Sequence, residues 1–223
     1  MQCPLRNIRS LILTFLLGAA GLGAHGAEII GMANDQVFSR REFLATSGPD
    51  IVWGYDFTVG AQGITVLALG IYDDNQNGLG HAHEAGLWDQ GGTLLATVTL
   101  DASSYLGGYY RYTDLVSPVT LEAGQNYTLA LTYWWSDNDD FRTANVGSGP
   151  QPAFAPEITM GSQWSARSDT LVKPTTAETE PVYFLGANAI FAPVPEPASM
   201  VLVAAGAVVL LGGRGRSRRK LKV

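Results

Sequence analysis

The run Trp53-Gly-Tyr-Asp-Phe-Thr-Val59 constrains this chain more than any other stretch. Trp53, Tyr55, Phe57 and Val59 alternate with Gly54, Asp56 and Thr58. A period of two is the mark of a strand with one face buried. Residues 64–72 follow as a β-branched, apolar run without helical period. Residues 85–88 predict another short strand, and Asp89-Gln-Gly-Gly92 predicts a turn into 93–100. Tyr109-Tyr-Arg-Tyr112 opens the next strand. Residues 118–121 and 127–134 are expected to form a hairpin through Glu122-Ala-Gly-Gln125. Residues 182–191 are expected to make one last strand. Between them, 136–181 is rich in Asp, Asn, Gly, Pro and Thr. It reads as long loops with one or two strands around 158–164. No stretch of this body has a helical pattern. Many short strands at regular spacing predict an all-β fold, an antiparallel, jelly-roll-like β-sandwich.

The two ends read differently from the body. Arg6 and Arg9, the apolar run 11–17 and the small residues Ala24, Gly26 and Ala27 predict a secretory signal peptide over 1–27. The chain's one cysteine, Cys3, falls inside it. The mature body therefore has no disulfide and no thiolate chemistry. The expected domain covers 28–192, a length that suits a single core. All 20 Asp and Glu lie between Glu28 and Glu196, against six Lys and Arg in the same span, for a net charge near −14. Nucleic acid and anionic lipid both ask for a basic surface, so this body excludes them as partners. It is compatible with cations and neutral glycans, and equally with plain solubility outside the cell.

The last thirty or so residues hold a proline spacer, an apolar run over 198–213 and a basic end over 214–223. Sixteen residues span about 24 Å as a helix. A bilayer core of about 30 Å takes about 20 residues, so the run is short. Ser199, Gly206, Gly212 and Gly213 suit a temporary hold better than a permanent one. Arg214, Arg216, Arg218, Arg219, Lys220 and Lys222 would stay on the cytoplasmic side and leave the body facing outward. On physics alone, a plain single-pass anchor is the alternative. The order Pro195-Glu196-Pro197, short apolar helix, Arg-rich end resembles the PEP-CTERM sorting signal of Gram-negative bacteria over 193–223. That resemblance implies an exosortase-type membrane peptidase as partner, transient insertion in the inner membrane, and release to the cell surface or matrix, often alongside exopolysaccharide.

A second resemblance covers about 50–190. The blocks Trp53–Val59, Val66-Leu-Ala-Leu-Gly-Ile-Tyr72, Gly78-Leu79, His83-Glu-Ala-Gly-Leu-Trp-Asp89, Gly92-Thr-Leu-Leu-Ala96, Arg111-Tyr112 and Val119-Thr-Leu-Glu-Ala-Gly124 followed by Tyr127 fall in order. Together they look like a bacterial extracellular domain of unknown function. The resemblance implies a sandwich and brings no catalytic residue with it.

Three stretches are candidates for chemistry. Asp73, Asn75, Asn77, Gly78, Leu79 and Glu84 fit the spacing of a calcium loop. Alternate short oxygen side chains converge on one cation, Leu79 lends its carbonyl, and Glu84 closes with two oxygens. Strand-like flanks and Gly80 at the eighth position depart from that pattern, and a polar turn explains the same residues. His81 and His83 alternate, but zinc needs three or four ligands and the one further histidine is His25. Trp134, Trp135, Asp137, Asp139 and Asp140 set indoles beside carboxylates, as a sugar ring requires. Neighbouring strand residues face opposite sides, so one indole in the core and one at the sandwich edge is the plainer arrangement. No Ser-His-Asp set, phosphate loop or thiol nucleophile is present. The expectation is therefore a non-enzymatic surface or matrix protein that is structural or adhesive and binds exopolysaccharide. The alternatives are a glycan-active hydrolase working in the 134–181 loops and a calcium-stabilised module without a ligand.

Overall fold

The computed structural model of the chain describes residues 27–28, 30–31, 39–41, 51–73, 76–134, 141–145, 153–179 and 182–194. Residues 1–26 of the expected signal peptide, the Pro195-Glu196-Pro197 motif, the 198–213 run and the 214–223 tail lie outside the described residues. Asn75, Trp135, Asp137, Asp139 and Asp140 lie outside them as well.

Every element in the described residues is a strand. Three short ones come first: β1 (Ala27–Glu28), β2 (Ile30–Gly31) and β3 (Ser39–Arg41). The body then gives β4 (Ile51–Val59), β5 (Ile64–Tyr72), β6 (His83–Asp89), β7 (Leu94–Leu100), β8 (Tyr105–Gly107), β9 (Tyr110–Leu121) and β10 (Asn126–Tyr133). The later part adds β11 (Phe141–Asn145), β12 (Ala153–Phe154), β13 (Ile158–Arg167), β14 (Thr176–Ala177), β15 (Val182–Leu185) and β16 (Ala187–Pro193). One sheet of five strands runs β1-β16-β5-β9-β8, and one of six runs β14-β13-β4-β10-β6-β7. Their pairings are antiparallel throughout. Smaller sheets join β15-β11-β3 and β12-β2.

The two large sheets face each other across one core, in sandwich-like packing. Tyr55, Phe57 and Val59 of β4 bury with Ile64, Val66, Leu69 and Ile71 of β5, and with Leu87, Leu129, Leu131 and Phe191. The alternation along β4 thus points Tyr55, Phe57 and Val59 inward, and leaves Gly54, Asp56 and Thr58 on the outer face. A buried bond from Tyr55 Oη–H to the Ala187 carbonyl, at 3.1 Å, ties one sheet to the other.

The structure corrects two sequence expectations. Glu122–Gln125 does not close a hairpin. β9 ends in the five-stranded sheet and β10 begins in the six-stranded one. The turn carries the chain across the sandwich, with Gly124 at φ +72° donating to the Val59 and Gly60 carbonyls. A period of two is the same whether the next strand pairs with its neighbour or crosses over, so the pattern cannot separate the two outcomes. Asp89–Gly92, with the same kind of signal, does join paired strands, β6 and β7.

The expected last strand is two strands, β15 and β16, in different sheets. They part at Gly186, where the Tyr133 hydroxyl occupies the space a Cβ would need. Within the loop-rich 136–181 region, the strand expected around 158–164 is β13, ten residues long and paired to β4. A bulge between Met160 and Gln163 breaks its alternation, with Gly161 and Ser162 standing against Asp56 alone. A bulge shifts the phase of the side chains, so the two halves of β13 do not share one alternation.

Candidate functional site

The outer face of the six-stranded sheet holds the site. In register across it stand Trp164 of β13, Gly54 of β4, Ala130 of β10 and Gly86 of β6. Three small residues in a row leave a trough in the sheet. One turn of the trough is filled by Trp88, whose indole lies where a Cβ on Gly86 would stand. Trp88 packs there with Val52 and Ala130, and Leu171 closes over them. Leu171 belongs to the segment 168–175, which returns to the sheet through Thr175 N–H to the Ser165 carbonyl at 3.2 Å.

Beyond Leu171 the trough opens into a cleft of about 330 Å³, lined by Asp56, Asn126, Tyr127, Thr128, Trp164, Gln90, Lys173, Pro174 and Thr175. Asp56 is its organising group. Thr128, directly across the strand pair, donates Oγ1–H to Asp56 Oδ1 at 2.7 Å. Trp164 donates Nε1–H to Oδ2 at 2.6 Å. The bulge at Gly161–Ser162 lies opposite Asp56 and sets the phase that brings the indole to this carboxylate. Thr58 donates to Asn126 Oδ1, fixing the amide at the cleft's other side.

The β6–β7 turn supplies the opposite wall. Lys173 Nζ donates to the carbonyls of Asp89 at 2.8 Å and Gln90 at 3.3 Å. Thr93 N–H donates to Asp89 Oδ1 at 2.8 Å. That bond first, then the Thr93 side chain, the Gly92 backbone and the nearby Lys173 ammonium, hold the Asp89 carboxyl below its ordinary value. Lys173 is the one lysine in the chain outside the basic tail.

Part of this cleft lies within the residues of a known family. The family described as "Domain of unknown function (DUF4082)" matches residues 45–163, more than half of the chain. The chain belongs to the DUF4082 family. No curated protein matches it. The DUF4082 match takes in Asp56, Gln90, Asn126 and Thr128, the floor and one wall of the cleft. It stops within β13, one residue before Trp164. Trp164 and the 168–175 segment, like the sheet-completing β16, come from beyond it.

The residues singled out in the sequence fall elsewhere. Asp73 is buried, and its Oδ2 takes Arg111 Nε–H at 2.6 Å and Gly78 N–H at 3.1 Å. Its charge is thus answered by a guanidinium from β9. Asn77 is exposed, while the Leu79 side chain joins the core. Glu84 stands exposed on β6, in the other large sheet from β5, the strand that leads into Asp73. Among the described residues, no three His, Cys, Asp or Glu side chains gather as a metal would need.

The two histidines part company. His81 is exposed, whereas His83 is buried, donating Nδ1–H to the Thr132 carbonyl at 2.7 Å and meeting Tyr133 edge to face. Trp134 donates Nε1–H to the Ala82 carbonyl at 2.9 Å. The cleft residues were each unremarkable in the sequence. Two signals could have led to them: Asp56, the one charge in the alternating run of β4, and Lys173, the solitary lysine of the body.

Proposed function

We propose that the chain is an exported surface or matrix protein, released from a transient inner-membrane hold by an exosortase-type peptidase at Pro195-Glu196-Pro197. Its jelly-roll-like sandwich binds exopolysaccharide and does not turn it over. The cleft around Asp56 and Trp164 carries this reading. Its volume falls at the lower end of the usual range for ligand sites, about 300–1,000 Å³. It joins an indole to fixed polar groups, the combination a sugar ring uses: an apolar face to stack and partners for its hydroxyls. The lining offers a single carboxylate, where glycoside hydrolysis uses a pair, and this favours binding.

The test is a glycan array probed with the full chain, with and without calcium. Exopolysaccharide fragments should bind, and Trp164→Ala should weaken them by about tenfold or more, roughly 1.4 kcal/mol. A folded chain that binds no glycan would defeat the reading. Release of new reducing ends would move it to the hydrolase class. Intact mass of the exported product tests the sorting step and should show the basic tail removed.

A further inference from the structure

We infer that the sugar held in the cleft is uncharged, and that it is read through a pair of neighbouring hydroxyls bridging Asp56 and Lys173. This rests on the glycan-binding reading above and narrows it to a ligand class. Two ionic groups of opposite sign line one small cleft. Asp56 is held by uncharged donors, Trp164 Nε1–H and Thr128 Oγ1–H. Lys173 is held by uncharged acceptors, the carbonyls of Asp89 and Gln90. Neither hydrogen-bonds to an opposite charge, although the Asp89 carboxylate stands near Lys173, so each keeps its charge in the lining of the cleft.

An ionised carboxylate can only accept hydrogen bonds, and an ammonium can only donate them. A uronic acid answers Lys173 but sets its carboxylate against Asp56, on a body already near −14. An amino sugar answers Asp56 but sets its ammonium against Lys173. A hydroxyl both donates and accepts. Two adjacent hydroxyls on a pyranose therefore satisfy both walls at once, donating to Asp56 and accepting from Lys173. Asn126 and Gln90, amides with both capacities, extend the same logic to further hydroxyls. Discrimination comes from the mismatch each charged sugar would leave, since specificity is a difference of affinities.

The experiment compares neutral, uronate-bearing and amino-bearing oligosaccharides of equal length on the full chain. Neutral oligosaccharides should bind about tenfold or more tighter than either charged set, a gap of roughly 1.4 kcal/mol. The variants should redirect this preference. Lys173→Glu should raise amino-sugar binding relative to neutral, and Asp56→Asn should raise uronate binding relative to neutral. A purely structural role for either residue would weaken all three classes alike and would overturn the inference.

A measurement on the unaltered chain guards against a misfolded variant. Neutral oligosaccharide should slow acetylation of Lys173 while leaving Lys220 and Lys222 unaffected, read by peptide mass. No protection of Lys173 overturns the inference. Charged sugars that match or exceed neutral ones, with loss on Trp164→Phe, overturn the inference but keep the glycan reading. A folded chain that binds none of the three removes both.

Discussion

The outer faces of the two large sheets use one device to opposite ends. On the five-stranded sheet, Tyr112 lies over Gly70, whose Cβ would meet the phenol ring. On the six-stranded sheet, Trp88 lies over Gly86 in the same way. The tyrosine face is then sealed. Tyr72, Tyr110 and Tyr112 are 1%, 2% and 0% exposed. Their rings interlock, Tyr72 with Tyr110 at 5.5 Å and Tyr110 with Tyr112 at 6.1 Å. The Tyr112 hydroxyl takes a hydrogen bond from Asn188 Nδ2–H at 2.9 Å. On the other face the aromatic row stops, and Thr128 and Trp164 both donate to Asp56 in an open cleft. The second face keeps hydrogen-bonding capacity beside empty space. Binding belongs to the face with room, stability to the face without it.

The largest effect should come from emptying the sealed face. Tyr112→Ala removes a fully buried ring and should cost about 3–5 kcal/mol, by analogy with other buried aromatic deletions. Trp164→Ala, in the open cleft, should cost much less stability while weakening glycan affinity by about tenfold or more. Thermal melts of the two variants check this directly. Equal losses in melting temperature would mean that the two faces do not differ in the way described.

Gly70→Ala and Gly86→Ala come next. Each forces a ring off its glycine, and overpacking of this kind costs about 1–3 kcal/mol. Displacing Trp88 also disturbs the bed on which Leu171 rests, so Gly86→Ala should weaken glycan binding as well. Gly70→Ala should lower stability and leave binding unchanged, since its ring lies on the far face. A chemical-denaturation series paired with binding isotherms separates the two outcomes.

How much of this was visible in the amino-acid order depends on the element. β4 was plain, because Tyr55, Phe57 and Val59 all face the core and nothing interrupts their period. The Asp89–Gly92 turn was plain as well, because its glycines lie between two strands that pair. β13 was legible as one or two strands around 158–164 but not as a single ten-residue strand, since Gly161 and Ser162 insert a bulge that shifts every later side chain by one position. The break at Gly186 was hidden because its cause, the Tyr133 hydroxyl, is more than fifty residues away in the chain. The cleft was hidden for the same reason. Asp56, Thr128, Trp164 and Lys173 meet through strand register and a returning segment, neither of which leaves a local pattern. The adjacent acids and indoles at 134–140 drew attention because they are neighbours in sequence, but of these only Trp134 falls among the described residues, where it bonds to a backbone carbonyl.

The smallest effects lie in acid and base, and they sharpen the contrast because the two faces titrate in opposite directions. Tyr105 sits beside Tyr112 on the sealed face, 5.9 Å between rings, and its Oη–H donates to Asp114 Oδ1 at 3.0 Å. Burial first, then the hydrogen bond and the charge of Asp114, push its phenol up to about 12. The fold favours the neutral phenol. Its contribution is therefore whole below the unfolded value of about 10 and is lost as pH rises through the folded one. Asp89, in the turn beside the cleft, is lowered chiefly by the Thr93 backbone N–H. The fold favours its ionised form, so that contribution is present above about 3.9 and is lost as pH falls through the lower folded value. Tyr105→Phe should flatten the alkaline limb of the stability curve and leave the acid limb alone, while Asp89→Asn should do the reverse. Both changes should be small, because Tyr105 is partly exposed and Asp89 lies in a solvated turn where water screens its partners. Glycan affinity adds a further readout: Asp89→Asn should shift its acid limb, because the turn that positions Lys173 loosens there, and Tyr105→Phe should leave it where it is.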